Sequence, residues 1–350
     1  MAPRIETDAS SAQGQKDGKQ QQIRQDQNLP KMKYQLLLAS LLGKDGGRMG
    51  MDGALTTADV PPEFLGDVFM VGQVPIMSLQ VDPRISYALY VPPAHYNADP
   101  AKNPTPAKLP LLVTIHGTTR IFTDVYEGMR PFADETPCAV LAPLFPAGIE
   151  GPHDVDSYKV FRSPTLQSDK ALFAVLDEIA YRWPGIETNR FYMSGFSGGG
   201  QFAHRFLYLY PERLAGISVG APGRVTNIDY NLAWPQGVQD VAQIFNVTVD
   251  PVSIAKVPIQ LVVGSEDTEV HGNEKFWEWI STVKSGSNTE LLPMDQSRLQ
   301  TLRDLQVSWR SLGIESQLDI VEGIKHEPAK ARDTMLDFLR PLVQNRMGLD

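Results

Sequence analysis

The sequence predicts an α/β architecture: a mainly parallel sheet of about eight strands with helices on both faces. From residue 74 onward, short apolar β runs alternate with amphipathic helical stretches, and strands separated by such helices pair in parallel and are covered on both sides. At 350 residues the chain is long enough to bury a large core without disulfides or metal. Its 42% apolar and 21% charged content is that of an ordinary globular protein.

Residues 1–30 are rich in Gln, Asp, Lys and Ser, with little to bury, and read as a flexible polar tail. Residues 31–73 form an N-terminal helix and connecting segment. In it Tyr34, Leu37, Leu38, Leu41 and Leu42 recur at helical spacing before a glycine stop. That helix docks either on its own domain or on a second copy of the chain, as a homodimer would require. Residues 74–350 read as one catalytic-size domain, since no Pro/Gly linker divides them up to about residue 345.

Within that domain the expected strands are "VPIMSLQV", "ISYALYVPP", "LPLLVTIHG", "CAVLAPLFP", "RFYMSG", "LAGISVGAP", "VPIQLVVG" and "SQLDIVEG". The helix "SDKALFAVLDEIAYRW" places Leu172, Val175, Leu176, Ile179 and Trp183 on one stripe, with Ser168 as its expected cap and Pro184 as its stop. Further helices are expected in "GGQFAHRFLYLYP", "NEKFWEWISTVK", "DQSRLQTLRDLQVSWRSLG" and "PAKARDTMLDFLRPLV". The irregular stretch 226–256 is the candidate cap, where Tyr230, Trp234 and Phe245 would roof an apolar pocket. Residues 270–298 read as an insertion.

The net charge of −9 argues against nucleic acid or an anionic membrane as partner. No apolar stretch reaches bilayer length, so no stable membrane insertion is expected. The N-terminus lacks the apolar core of a signal peptide, and the lone Cys138 lies in an apolar run as a core residue; both favour a cytoplasmic location.

The chemistry concentrates in "FYMSGFSGGG", where Gly195, Phe196, Ser197, Gly198 and Gly199 spell G-x-S-x-G between a strand and a helix. No Lys-Ser or Lys-Thr pair follows to hold a phosphate, and the turn comes too late in the chain for a dinucleotide fingerprint. A reactive serine remains. Serine needs a base to take its proton and an acid to orient that base. His326 lies after the last expected strand, where a base would reach across the sheet's carboxyl edge. His204 reads as a packed helix residue, and His95, His153 and His271 as loop residues. Asp267 after "IQLVVG" is the expected acid, with Glu266 and Glu269 as alternatives and Asp229 behind them. For the oxyanion hole, the Gly198 amide is the first donor and an amide from Gly117, Thr118 or Thr119 the second. His116 is expected to brace that loop. Arg120 and Phe196, with Trp234, are the candidate pocket residues, Arg120 either meeting a substrate carboxylate or forming a structural ion pair.

With Ser197, Asp267 and His326 in that order, the "HG" of "VTIHGTTR" and the turn "GFSGG", residues 70–345 resemble the α/β-hydrolase fold family, in its esterase and polyester-depolymerase-like branch. The resemblance implies a cofactor-free, metal-free serine hydrolase acting on a small-molecule carboxylic ester, lactone or thioester of apolar character through an acyl-enzyme. Two alternatives stand beside it: a biosynthetic enzyme using the same groups on a C–C bond, β-keto or lactone intermediate, and a non-catalytic receptor on the same fold.

Overall fold

The computed structural model describes residues 53–269 and 296–347, together with Lys275, Glu278 and Thr282. The polar tail, the helix expected near residues 34–42 and most of the 270–298 insertion lie outside the described residues.

Among the described residues nine strands form one sheet. They are β1 (Gly72–Gln73), β2 (Met77–Ser78), β3 (Ser86–Val91), β4 (Leu111–Ile115), β5 (Ala139–Leu144), β6 (Phe191–Phe196), β7 (Leu214–Gly220), β8 (Ile259–Gly264) and β9 (Gln317–Val321). Their order is β1-β3-β5-β4-β6-β7-β8-β9, with β2 also paired to β3. From β5 through β4 to β9 every pairing is parallel, whereas β3 runs antiparallel to β1, β2 and β5. Of the expected strand at 74–81 only β2 (Met77–Ser78) forms, and β1 (Gly72–Gln73) precedes it on the same edge.

The helices are α1 (Phe122–Glu135), α2 (Ser157–Val160), α3 (Ser168–Arg182), α4 (Gly198–Leu209), α5 (Val241–Phe245), α6 (Pro251–Ile254), α7 (Arg298–Ser311) and α8 (Pro328–Met347). Alternation along β6 assigns the two faces. The Phe191 ring meets Phe206 of α4 at 5.8 Å, while the next residue, Tyr192, donates to the Leu342 carbonyl of α8 on the other side at 2.6 Å. On the α8 face, Leu112, Val140 and Ala142 pack with Tyr126, Met129 and Phe132 of α1 and Leu336, Leu339 and Val343 of α8. The expected stripe of α3 is wholly buried, and each such side chain contributes roughly 1.5–3 kcal/mol relative to exposure.

Two local readings need correction. Helix α1 was not expected, because Gly128 and Pro131 lie inside it. A Cβ at Gly128 would meet the Arg332 guanidinium of α8, the far end of a flexible side chain. Ser168 is a residue of α3 and not its cap: Gln167 holds the cap position, and the Ser168 hydroxyl donates to the Tyr158 carbonyl at 2.7 Å.

The seating of α4 on the sheet depends on Gly199. A Cβ there would overlap the Ile115 carbonyl oxygen and reach within 3.0 Å of the His116 carbonyl oxygen, both rigid backbone. Gly199→Ala is accordingly expected to destabilise the protein by about 2–4 kcal/mol, measured as a lowered denaturation midpoint in urea with unchanged slope.

Candidate active site

The turn from β6 into α4 forces Ser197 to φ 59° and ψ −115°, a conformation that costs a non-glycine residue roughly 1–3 kcal/mol. The turn is held on both sides. The Ser197 amide donates to the Gly220 carbonyl at 2.8 Å, and the Ser197 carbonyl accepts from the Gln201 amide at 3.0 Å. Unlike its neighbours Phe196 and Gly198, which are buried, Ser197 is half-exposed.

The loops after β8 and β9 bring the next two groups together. Gly264 ends β8, and a Cβ there would lie 2.6 Å from the Lys325 carbonyl oxygen, so glycine lets the 322–326 segment cross closely. The crossing is fastened by Ser265 N to Val321 O and Glu266 N to Ile324 O, both 2.9 Å, and by Gly323 N to Ser265 Oγ, also 2.9 Å. His326 Nδ1 consequently lies 2.7 Å from Asp267 Oδ2. Its ring sits 5.0 Å from that of Phe196, the residue preceding Ser197. Of the alternative acids, Glu266 is exposed, Glu269 is exposed beside Lys325, and Asp229 accepts from Asn231.

Arg298, the first residue of α7, was not singled out by the sequence. Its Nη1 donates to Asp267 Oδ1 at 3.0 Å, from the side opposite His326. Burial works to raise the Asp267 pKa, but the hydrogen bond and charge of His326, joined by the Arg298 guanidinium, outweigh it and hold the carboxyl below its ordinary value. Asp267 is thereby kept ionised and fixed in orientation although only 2% of its surface is exposed.

The loop after β4 faces the serine turn. A Cβ on Gly117 would lie 3.9 Å from that of Ser197, and one on Gly198 would lie 2.8 Å from Thr118 Oγ1. Thr119 is the exposed residue of the loop. His116 is buried and joins two backbones. Its Nε2 accepts from Phe145 N at 3.0 Å, which leaves Nδ1 to donate to the Gly117 carbonyl at 2.8 Å. Burial lowers its pKa to about 4, so the ring is neutral at physiological pH. His204 is likewise a buried brace between Gly200 O and Thr226 N. Arg120 donates to the carbonyls of Phe145, Thr118 and Val155 and lies over the Tyr158 ring at 4.6 Å. These contacts make it a brace of the same loop.

In the 226–256 segment Phe245 is buried and Tyr230 exposed. Trp234 is half-buried: its ring lies 5.0 Å from Phe245 and 6.2 Å from Phe161, and its indole donates to the Val160 carbonyl at 2.7 Å. A separate cavity of about 620 Å³ between residues 57–65 and 93–106 contains none of the site residues in its lining. Among the described residues no helix is long and apolar enough to cross a membrane.

No family model and no curated protein matches the chain. Solved structures do. The poly(3-hydroxybutyrate) depolymerase LpqC from Bordetella parapertussis is similar at a TM-score of 0.57 and 22% identity, covering 81% of this chain and 94% of its own. Poly(aspartic acid) hydrolase-1 from Sphingomonas sp. KT-1 is similar at a TM-score of 0.54 and 19% identity, covering 72% and 92%. With the strand order, the strained serine turn and the position of the Asp267–His326 pair, these similarities establish that the chain has the α/β-hydrolase fold.

Proposed function

We propose that the protein is a serine hydrolase that cleaves a carboxylic ester, thioester or lactone of a small or medium substrate through an acyl-enzyme. One observation carries the reading: at a single rim of the sheet, a strained, half-exposed serine faces the 117–119 loop, beside a histidine already bound to a buried carboxylate. The names of the two similar structures, a depolymerase and a hydrolase, support a hydrolytic reaction of this kind.

In this mechanism His326 donates its Nδ1 proton to Asp267, which leaves Nε2 as the base. Ser197 Oγ attacks the carbonyl carbon, its proton passes to Nε2, and the amides of Gly198 and the 117–119 loop stabilise the oxyanion. Collapse expels the leaving group, which takes the proton from Nε2. Water then attacks the acyl-enzyme by the same route and regenerates Ser197 with release of the acid. The test is labelling with a fluorophosphonate. One equivalent is expected on the peptide bearing Ser197, blocked by prior loss of the hydroxyl in Ser197→Ala. A folded wild-type protein that takes up none would sink the reading.

A further inference from the structure

Tyr158 of α2 is wholly buried and lies where the two halves of the proposed oxyanion hole meet. A Cβ on Gly198, the residue after the nucleophile, would overlap the Tyr158 hydroxyl oxygen and come within 2.8 Å of Thr118 Oγ1. The same hydroxyl donates to the His116 carbonyl, where the facing loop leaves β4, at 3.1 Å. Burial raises the Tyr158 pKa, so the phenol keeps its proton and remains a donor. The ring is held as firmly as the hydroxyl. It packs on the His116 ring at 4.9 Å and the Phe145 ring at 5.8 Å, and the Arg120 guanidinium lies 4.6 Å from its centroid. Packing on this scale locks the side chain and gives the hydroxyl a rigid mount.

Each peptide of the loop is held by its carbonyl. Tyr158 holds that of His116. His116 Nδ1 at 2.8 Å and the Arg120 amide at 3.1 Å hold that of Gly117, and Arg120 Nη1 holds that of Thr118 at 2.6 Å. His116 and Arg120 belong to the loop, whereas Tyr158 reaches it from α2. In a planar trans peptide the C=O and N–H point in opposite directions, so a fixed carbonyl fixes the amide of the next residue. The bond from Tyr158 therefore sets the Gly117 amide directly. As the first of three held peptides it also sets the place from which the Thr118 and Thr119 amides are presented. Gly117 borders the nucleophile, since its added Cβ would lie 3.9 Å from Ser197 Cβ. Donors of an oxyanion hole work by being in place before charge develops, so a group that places them acts on the transition state more than on substrate binding.

We infer that Tyr158 is a positioning residue of the oxyanion hole: its hydroxyl, seated against Gly198, holds the His116 carbonyl and thereby aligns the amides of residues 117–119 with that of Gly198. This assignment rests on the esterase reading above. Tyr158 acts through the loop and not on the reacting carbonyl itself.

The experiment compares wild type with Tyr158→Phe in the full-length protein, a change that keeps the ring and removes only the hydroxyl. Active sites are first counted by fluorophosphonate labelling to completion, so that every rate refers to labelled Ser197. With p-nitrophenyl butyrate, kcat per site is expected to fall about 10- to 100-fold while KM changes less than about threefold. Affinity for 1,1,1-trifluorohexan-2-one, whose hemiketal with Ser197 places a charged oxygen in the hole, should fall by the same factor as kcat/KM. The pH at which kcat/KM rises should stay where it is in wild type, since the base is untouched. A lower kcat with the ketone bound as tightly as by wild type overturns the inference, and so do kcat and ketone affinity both within about threefold of wild type. A loss confined to the number of labelled sites overturns it too, since the hydroxyl then serves only the fold. If Tyr158→Phe does not fold, a crystal structure of the wild-type protein phosphonylated on Ser197 decides. The phosphoryl oxygen is expected within about 3.2 Å of the Gly198 amide and of an amide from residues 117–119, with the Tyr158 hydroxyl still on the His116 carbonyl. A hydroxyl that has left that carbonyl for the phosphoryl oxygen, or a phosphoryl oxygen reached by none of the loop amides, overturns the inference. If wild type neither turns over the ester nor takes the label, the esterase reading falls, and this inference with it.

Discussion

Replacing Ser197 by alanine is expected to lower kcat on the order of 10⁴- to 10⁶-fold while leaving the protein folded. In the proposed mechanism the serine oxygen forms the acyl bond, so its loss removes the covalent route as a whole. What survives is the catalysis that the amide donors and the base give to direct attack by water. Because nucleophile and base act as one unit, the double variant Ser197→Ala with His326→Ala should be scarcely slower than either single variant. The backbone at 197 has φ 59°, set by the turn and not by the side chain. Alanine is strained there by about as much as serine, so the denaturation midpoint should move by no more than about 1 kcal/mol equivalent. Steady-state kinetics on a p-nitrophenyl ester, with circular dichroism as the control for folding, gives both numbers. Activity retained within about tenfold would rule out the covalent mechanism.

The serine turn was legible in the sequence because its constraints are local. Glycine is required wherever α4 approaches the carbonyls of β4 and β7, and that requirement leaves a spelled motif. The pairing of Asp267 with His326 was legible for another reason. A parallel sheet gathers the residues just past its strand ends, so order along the chain together with position after a strand identifies them. Arg298 carried no such signal. It is the first residue of a helix that follows a long segment, and nothing in "SRLQTLRDLQ" says that its first arginine turns back to a carboxylate after β8. Lys159 and Tyr158 lie on a four-residue helix inside the irregular path from β5 to α3, and tertiary packing alone sets them beside Gly198. Helix α1 was hidden by Gly128 and Pro131, two helix-disfavouring residues that are tolerated in a helix packed against the sheet. Period and motif thus report on contacts between neighbouring elements, whereas polar contacts between distant loops leave no periodic trace.

Asp267→Asn tests the other half of the site and is expected to lower kcat by about 10³- to 10⁴-fold. The amide is nearly the same shape as the carboxylate, so packing hardly changes, but it cannot balance the charge that His326 would acquire on taking the serine proton in the proposed mechanism. It can also turn its NH₂ toward His326, in which case the ring is held in the wrong tautomer for a base at Nε2. A second consequence follows from Arg298, whose side chain is 12% exposed and would face a neutral group. Breaking a buried pair by removing one partner strands the other charge, and a loss of about 2–4 kcal/mol is expected at pH 7. The pH dependence has a definite sign. The folded protein holds the Asp267 pKa below its ordinary value of 3.8, so the ionised carboxylate stabilises the fold above about that pH. That contribution disappears as the pH falls through the lowered value. Wild type should therefore exceed Asp267→Asn in stability at pH 7, and the gap should narrow progressively below pH 3.8. Urea titrations at several pH values measure the gap. Arg298→Met supplies the control, since it removes the second charge on Asp267 but leaves the His326 partner in place. A much smaller kinetic loss than in Asp267→Asn, with a similar loss of stability, would separate the structural work of the Arg298–Asp267 pair from the chemical work of the Asp267–His326 pair. If Asp267→Asn kept wild-type turnover, the histidine would have to draw its orientation from elsewhere, and the assignment of Asp267 would fail.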